Sequence, residues 1–270
     1  MHARTDTSHA SSHDVAIEFI AACCATADGS PLVSDLNLKI RTGETMILLG
    51  RSGAGKSTTL KLINRMLDPT SGEVRVLGKS TIEWEPTQLR RQIGYAIQEV
   101  GLFPHWTVAR NIETVPRLLG WEPERVSARR NELLHAVGMP AEEFRHRYPH
   151  ELSGGQRQRV GLARALAADP PILLMDEPFG ALDPITRAEV QHEFRRLQEK
   201  LRKTAVLVTH DLIEALTLGD RIAVVEAGKI IGDYSREEFL NAADRVSPAY
   251  LASLRAAEPV LRRIREQSGA

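Results

Sequence analysis

The stretch Gly50-Arg51-Ser52-Gly53-Ala54-Gly55-Lys56-Ser57 constrains the fold of this chain more than any other, because it fits the pattern G-x-x-x-x-G-K-[ST] at every required position. It follows TMILLG, a continuously apolar run of the kind found in strands covered on both faces. It precedes a segment that sets Leu60, Ile63 and Leu67 on one helical face. Strand, glycine loop and helix in this order are what a phosphate-binding loop requires. The glycines let backbone N–H groups wrap phosphate oxygens, Lys56 reaches the β- and γ-phosphates, and the Ser57 hydroxyl ligates Mg2+. Gly50 through Ser57, with Thr58 next in the helix, are therefore the expected nucleotide-holding residues.

Around this unit the chain reads as α/β. AIEFIAA and LNLKI, within residues 16–40, look like two strands joined by a turn containing Asp28-Gly29, and GEVRVLG (72–78) like a further strand and turn. PILLM (171–175) and AVLVT (205–209) are buried-strand runs, separated by a helix with Val190, Phe194, Leu197 and Leu201 on one face. Such alternation implies parallel strands with crossover helices. RIAVVEAGKIIGDY (221–234) resembles a hairpin closing over Ala227-Gly228. Between about 90 and 165 the pattern is helical and highly charged with no strong strand, which predicts an inserted helical subdomain.

Composition narrows the partners. Lys plus Arg and Asp plus Glu balance at 35 each, so no net field favours nucleic acid or an anionic membrane. The two cysteines, Cys23 and Cys24, are adjacent and cannot form a framework of loop-closing disulfides, which fits a reducing compartment and predicts two small core thiols. No run approaches the roughly 18–20 apolar residues of a membrane helix. MHARTDTSHASSHD lacks the apolar centre of a signal peptide, so residues 1–14 are expected to be a disordered tail of a cytoplasmic protein, with His2, His9 and His13 solvated.

Two acidic residues end PILLM. An acidic pair on an apolar run is costly without a partner, and strand C-termini are where α/β sheets place ligands. Asp176 would hold Mg2+, and Glu177 would polarise the water that attacks the γ-phosphate. His210 ends AVLVT by the same geometry and can face the same phosphate. Gln98, in YAIQEVGLF, says little by itself. Leu152-Ser153-Gly154-Gly155-Gln156 is a second candidate cradle: Ser153 and Gln156 match the S-x-x-Q capping box, which explains a helix start but leaves the two glycines unexplained. Bare backbone there suits the close approach of a ligand.

Taken together, the phosphate loop, Gln98, LSGGQ, LLMDEP, ALDP (181–184) and VTHD (208–211), in this order and spacing, resemble the ATPase subunit of ABC transporters over about residues 15–235. The resemblance implies a P-loop NTPase core of the ABC type, with an N-terminal antiparallel β subdomain and an inserted α-helical subdomain, in a domain spanning 15–245 with a helical extension at 246–270. It implies that two subunits sandwich two ATP molecules head to tail. Lys56, Ser57, Asp176, Glu177, Gln98 and His210 of one would then face Ser153, Gly154, Gly155 and Gln156 of the other, with Asp183 at the interface. Gln98 would be a further Mg2+ and catalytic contact. One position departs from the family: where members usually stack an aromatic ring on adenine, an ungapped count from IEF gives Thr26, which cannot stack.

EVGLFPHW clusters Val100, Leu102, Phe103 and Trp106 in an apparent loop. They are either subdomain core or an apolar groove for a partner helix, and the resemblance implies that this region receives a cytoplasmic helix of a membrane permease subunit. YPHELSGGQ lacks the Glu-Arg-Gly segment common in exporters, so the chain looks like an importer ATPase. LINRMLDPTSGEV, IGYAIQEVGLFPHWTVARNI with VPRLLGW, and PFGALDPITRAE look similar to ATPases of glycine betaine, carnitine and choline importers, which also work with a solute-binding protein. Some of these append paired CBS modules; too few residues follow here to expect them. The alternatives are an importer ATPase for another small solute, a soluble ABC ATPase, and another P-loop NTPase such as a kinase. The second usually carries two cassettes or a long coiled coil, neither of which occurs in this sequence.

Overall fold

The computed structural model describes residues 15–97, 101–180 and 182–241. The expected tail at 1–14, Gln98, Val100, Ala181 and the expected extension at 246–270 lie outside the described residues.

The first hairpin pairs β1 (Val15–Ala25) with β2 (Pro31–Arg41). Both strands outrun their alternating cores, because β1 changes register three times between Ile17 and Ala25 and Ala21 adopts φ 45°. Such bulges break the period of two while pairing continues. Neighbours on a strand face opposite ways, so Cys24 is buried and Cys23 only half-buried, which corrects the expectation of two core thiols. β3 (Thr45–Leu49), buried at every position, leads into α1 (Lys56–Ile63), and Leu67 packs on the core from beyond that helix. β4 (Ser71–Val76) and β5 (Lys79–Ser80) complete an antiparallel sheet in the order β2-β1-β4-β5.

After α2 (Pro86–Arg91) comes β6 (Ile93–Ala96), a strand inside the stretch that reads as helical from sequence. IGYA is too short to register as an apolar run, and it becomes a strand by parallel pairing with β7 (Ile172–Asp176). Gly94 is fitted to that place: a Cβ there would lie 2.2 Å from the Ala165 carbonyl oxygen of the helix packed against it. α3 (Val108–Leu118), α4 (Pro123–Ala136), α5 (Ala141–Phe144) and α6 (Gly154–Leu166) follow β6, and α3 and α4 pack on α6. Beyond β7 come α7 (Pro184–Leu201), β8 (Thr204–Thr209), α8 (Leu212–Leu218), the hairpin β9 (Arg221–Glu226) and β10 (Lys229–Ser235), and α9 (Arg236–Asn241).

The central sheet runs β10-β9-β3-β8-β7-β6, parallel except for the β9/β10 hairpin. Alternation divides its side chains between two cores. Met46, Leu48, Leu174, Val206 and Val208 pack toward α1 and the antiparallel sheet, whereas Ile47, Leu49, Leu173, Met175 and Leu207 pack toward the helices on the other face. β8 lies between β3 and β7, with Leu49 level with Thr209 and Asp176 level with Val208. The loops leaving these three strands therefore converge at one end of a parallel sheet, where ligands bind in folds of this kind.

Candidate functional site

The loop between β3 and α1 is buttressed from two sides. Gly50 N–H donates to the Thr209 carbonyl at 3.2 Å, and Gly228 N–H, in the β9–β10 turn, donates to the Ala54 carbonyl at 2.9 Å. A Cβ on Gly50 would come within 2.4 Å of the Val225 oxygen, and Gly55 takes φ 99° at the helix start. α1 begins without a side-chain cap, as do α4 and α5, but it alone of the three starts from the glycine-rich loop, with Gly55 at its N-cap. Its first N–H groups and the positive end of its dipole are thus left to an anion. Arg51, Ser52 and Gly53 are exposed on the loop and Thr58 is half-buried on α1.

Lys56 is 4 % exposed and donates through Nζ to the Gly50 and Arg51 carbonyls at 2.8 and 2.9 Å. Burial lowers its pKa, opposed by the charges of Glu177 and Asp176. Ser57 Oγ donates to Asp176 Oδ1 at 2.9 Å. Two oxygens at right angles around Mg2+, each about 2.0–2.1 Å from it, stand about 2.9 Å apart, so this hydroxyl–carboxylate pair has the donor type and spacing of two adjacent Mg2+ ligands. Burial raises the Asp176 pKa, the Ser57 hydrogen bond works against that, and the charge of Glu177 adds to it. Tyr95, on β6, is pushed up to about 12 by burial and then by the Asp176 charge. The short IGYA pattern offers no reason to single Tyr95 out.

Glu177 adopts φ 45°, a left-handed conformation unusual for a residue with a side chain. Its N–H donates to Val208 O at 3.1 Å, and its Oε2 lies 3.3 Å from His210 Nδ1. The structure therefore brings together the phosphate loop, Asp176, Glu177 and His210, as expected. It does not bring Ser153–Gln156 to them. Ser153 Oγ accepts from Gln156 N–H at 3.2 Å, and Gln156 Oε1 accepts from Ser153 N–H at 2.9 Å, so the capping box is present. Among the described residues no hydrogen bond joins this segment to residues 50–58. The two glycines differ. A Cβ on Gly155 would lie 2.3 Å from Thr186 Cγ2, so packing of α6 against α7 requires that glycine, while a Cβ on Gly154 would enter open space. Asp183 caps α7, accepting from Ile185 and Thr186 N–H at 3.1 Å each; the Thr186 hydroxyl first, and then these backbone bonds, hold its pKa down.

On α8, against the Thr209 hydroxyl, sits a buried carboxyl that the sequence alone does not single out. Glu214, 4 % exposed, accepts a hydrogen bond from Thr209 Oγ1 and is pushed up to about 7 by burial. The fold favours its neutral form, so the stability it confers is complete below its ordinary 4.5 and is lost as pH rises to about 7. We expect Glu214→Gln to remove a pH-dependent loss of about 3 kcal/mol, judged from about 1.4 kcal/mol per unit of pKa. Urea unfolding of both proteins at pH 4.5 and 7.5 checks this: the variant should gain on the wild type at the higher pH, and parallel behaviour would show that Glu214 ionises freely.

EVGLFPHW divides its side chains. Leu102 packs on the core, and Phe103, 40 % exposed, lines a groove of about 400 Å3 with Met66, Ile93, Tyr95 and Val115. Asn111 fixes this loop, accepting from Phe103 N–H at 2.8 Å and donating to the Phe103 and Trp106 carbonyls. The Phe103 and Trp106 rings lie 4.3 Å apart.

Residues 33–180 match the family described as ABC transporter. The chain is 53% identical over 214 residues to the osmoprotectant import ATP-binding protein OsmV of Salmonella typhimurium, covering 78% of this chain and 56% of that protein. It is 52% identical over 212 residues to the glycine betaine/carnitine/choline transport ATP-binding protein OpuCA of Bacillus subtilis, with 78% and 56% covered. The chain thus spans about half the length of the curated relatives it matches. Among solved structures, the dimeric ATP-binding cassette MJ0796 bound to ADP and Pi superposes with a TM-score of 0.72 at 32% identity, over 82% of this chain and 98% of that one. CbiO1 of Clostridium perfringens, part of the transporter complex cbiONQ, gives 0.80 at 25% identity, over 95% of this chain and all of the other. The chain belongs to the ABC transporter family, as an ATP-binding cassette.

Proposed function

We propose that this chain hydrolyses ATP as half of a symmetric dimer and thereby energises an importer for quaternary-ammonium osmoprotectants such as glycine betaine, choline or carnitine. The observation that carries the reading is a phosphate site complete in all but one part. Lys56, the Ser57–Asp176 pair and the Glu177–His210 pair converge, while Gly154 presents bare backbone to open space elsewhere. In the dimer, Ser153 and Gly154 of one copy, at the start of α6, close over the ATP held by Gly50–Thr58 of the other. Gly155 and Gln156 extend the same contact, Gly155 through its backbone while it packs on Thr186 and Gln156 while it closes the capping box, and Asp183 lies at the interface beside them. Ser57 and Asp176, with Gln98 as a further ligand, would hold Mg2+, which would supply positive charge against the phosphates. Glu177 takes the proton of the attacking water, and His210 fixes the carboxylate through Oε2. The printed names of OsmV and OpuCA support the solute class.

The groove beside Phe103 supports docking of a permease segment, consistent with the absence, among the described residues, of any helix long and apolar enough to cross a membrane. Placed against such a permease, the chain works at the cytoplasmic face of the membrane, with a solute-binding protein as an indirect partner and no role for nucleic acid. Uptake of labelled glycine betaine and choline in a strain lacking this chain tests the reading. The wild type should restore uptake and Lys56→Ala should not; restoration by both would refute coupling to ATP.

Thr26 is exposed in the first hairpin turn, its hydroxyl bonded to Asp28 and to the Ser30 carbonyl at 3.1 Å. It serves the turn and offers no ring, and base–aromatic stacking is worth about 1–3 kcal/mol. Thr26→Tyr should therefore lower the KM for ATP by about fivefold or more. An unchanged KM would show that the base binds elsewhere.

A further inference from the structure

One guanidinium ties together two loops that both touch Glu177. Arg187, one turn into α7, donates through Nη2 to the carbonyls of Leu182 and Gly180 at 3.0 and 3.5 Å. Its Nη1 reaches Asp211 Oδ2 at 3.4 Å. Each loop ends at Glu177: Gly180 N–H donates to the Glu177 carbonyl at 3.2 Å, and His210, the neighbour of Asp211, has Nδ1 at 3.3 Å from Glu177 Oε2. Asp211 is held rigidly in turn, accepting from Ile213 and Glu214 N–H at 2.8 and 3.1 Å and donating its own N–H to Thr209 Oγ1 at 2.9 Å.

The arrangement is poorly explained as a stabilising device. Arg187 and Asp211 are about a third exposed, at 31 and 32 %, where ion pairs contribute little to stability. Among the described residues Arg187 Nε is buried with no hydrogen-bond partner, while its other two nitrogens stay on the two loops. A planar fork can span two acceptors in this way, whereas a single ammonium cannot.

We infer that Arg187 is a positioning residue: it holds Gly180 and Leu182 in register with the His210 loop, so that a second copy docking beside Asp183 sets His210 and Glu177 in their reactive placement. This rests on the dimer reading above. Arg187 touches no substrate, so its removal slows turnover and spares nucleotide binding.

The test is a double-mutant cycle on the full chain with Arg187→Met, Asp211→Asn and both, reading kcat, KM for ATP and Tm. Asparagine still caps α8, so Asp211→Asn loses the pairing and keeps the helix start. Each single variant should lose at least tenfold in kcat with KM within twofold and Tm nearly unchanged, and the double variant should be no slower than the slower single one. Arg187→Lys should be as slow as Arg187→Met, because charge alone cannot bridge the loops. A kcat within twofold of wild type for Arg187→Met, full recovery with lysine, or losses that multiply in the double variant would each overturn the inference. If Arg187→Met fails to fold, Asp211→Asn alone decides, since its kcat should fall with KM intact. Dimerisation is read separately, by size exclusion of Glu177→Gln with ATP. Failure there contradicts the dimer, whereas failure of the cycle contradicts only the role of Arg187.

Discussion

Glu177→Gln is expected to lower ATP turnover by about 10²–10⁴, the usual contribution of a positioned general base, and to leave the protein as an ATP-bound dimer. The amide keeps the size and polarity of the side chain, and Gln Nε2 or Oε1 can still meet His210, so the loop that holds Lys56 and the Ser57–Asp176 pair is untouched. What disappears is the basic oxygen. Removing a carboxylate also relieves repulsion against the γ-phosphate, so binding is kept or strengthened. ATPase assays together with size exclusion in ATP check both halves. Normal hydrolysis would remove Glu177 from its role. Lost hydrolysis without a dimer would remove the second copy.

Ser153→Asp is expected to separate two roles that one side chain carries. Aspartate caps helices as well as serine does, so α6 should start normally and Tm should hold, where Ser153→Ala should cost about 1 kcal/mol of stability. The carboxylate, however, would face the phosphates of the partner's ATP. Losing a hydroxyl donor of this type typically costs 10²–10³ in kcat, and the added negative charge makes that a lower bound. ATP should still bind at Gly50–Thr58, because no hydrogen bond among the described residues joins that loop to Ser153. Turnover assays and equilibrium ATP binding on Ser153→Asp decide the matter. Normal turnover with a normal Tm would reduce LSGGQ to a helix cap.

Most of the fold was legible because its strands announce themselves twice, as apolar runs and as the residues that lead into polar loops. TMILLG, PILLM and AVLVT are strands buried on both faces, and their order alone sets Asp176, Glu177 and His210 at the same sheet end as the phosphate loop. β6 escaped because four residues, one of them glycine, carry too little local signal; the strand exists through pairing with β7 and contact with α6. Tyr95 was hidden with it. The half-buried Cys23 escaped because small thiols read as core by residue type, whereas neighbours on a strand face opposite ways and only Cys24 faces in. Ser153–Gln156 was readable as a cap, yet only the geometry separates Gly155, which Thr186 requires, from Gly154, which nothing in its own chain requires. Arg187 and Glu214 were illegible for a different reason: their meaning lies in contacts with Asp211 and Thr209, on another strand and helix. An arginine or glutamate on an amphipathic helix is otherwise read as a solvated side chain.

The claim on which everything else depends is that one chain cannot close its own site. It is tested by measuring ATP turnover per chain against protein concentration, with light scattering reporting mass in the same samples. The account predicts that turnover per chain falls toward zero as dilution leaves monomers and rises in proportion to the dimer fraction. Turnover per chain that stays constant down to concentrations where only monomer is present would contradict it.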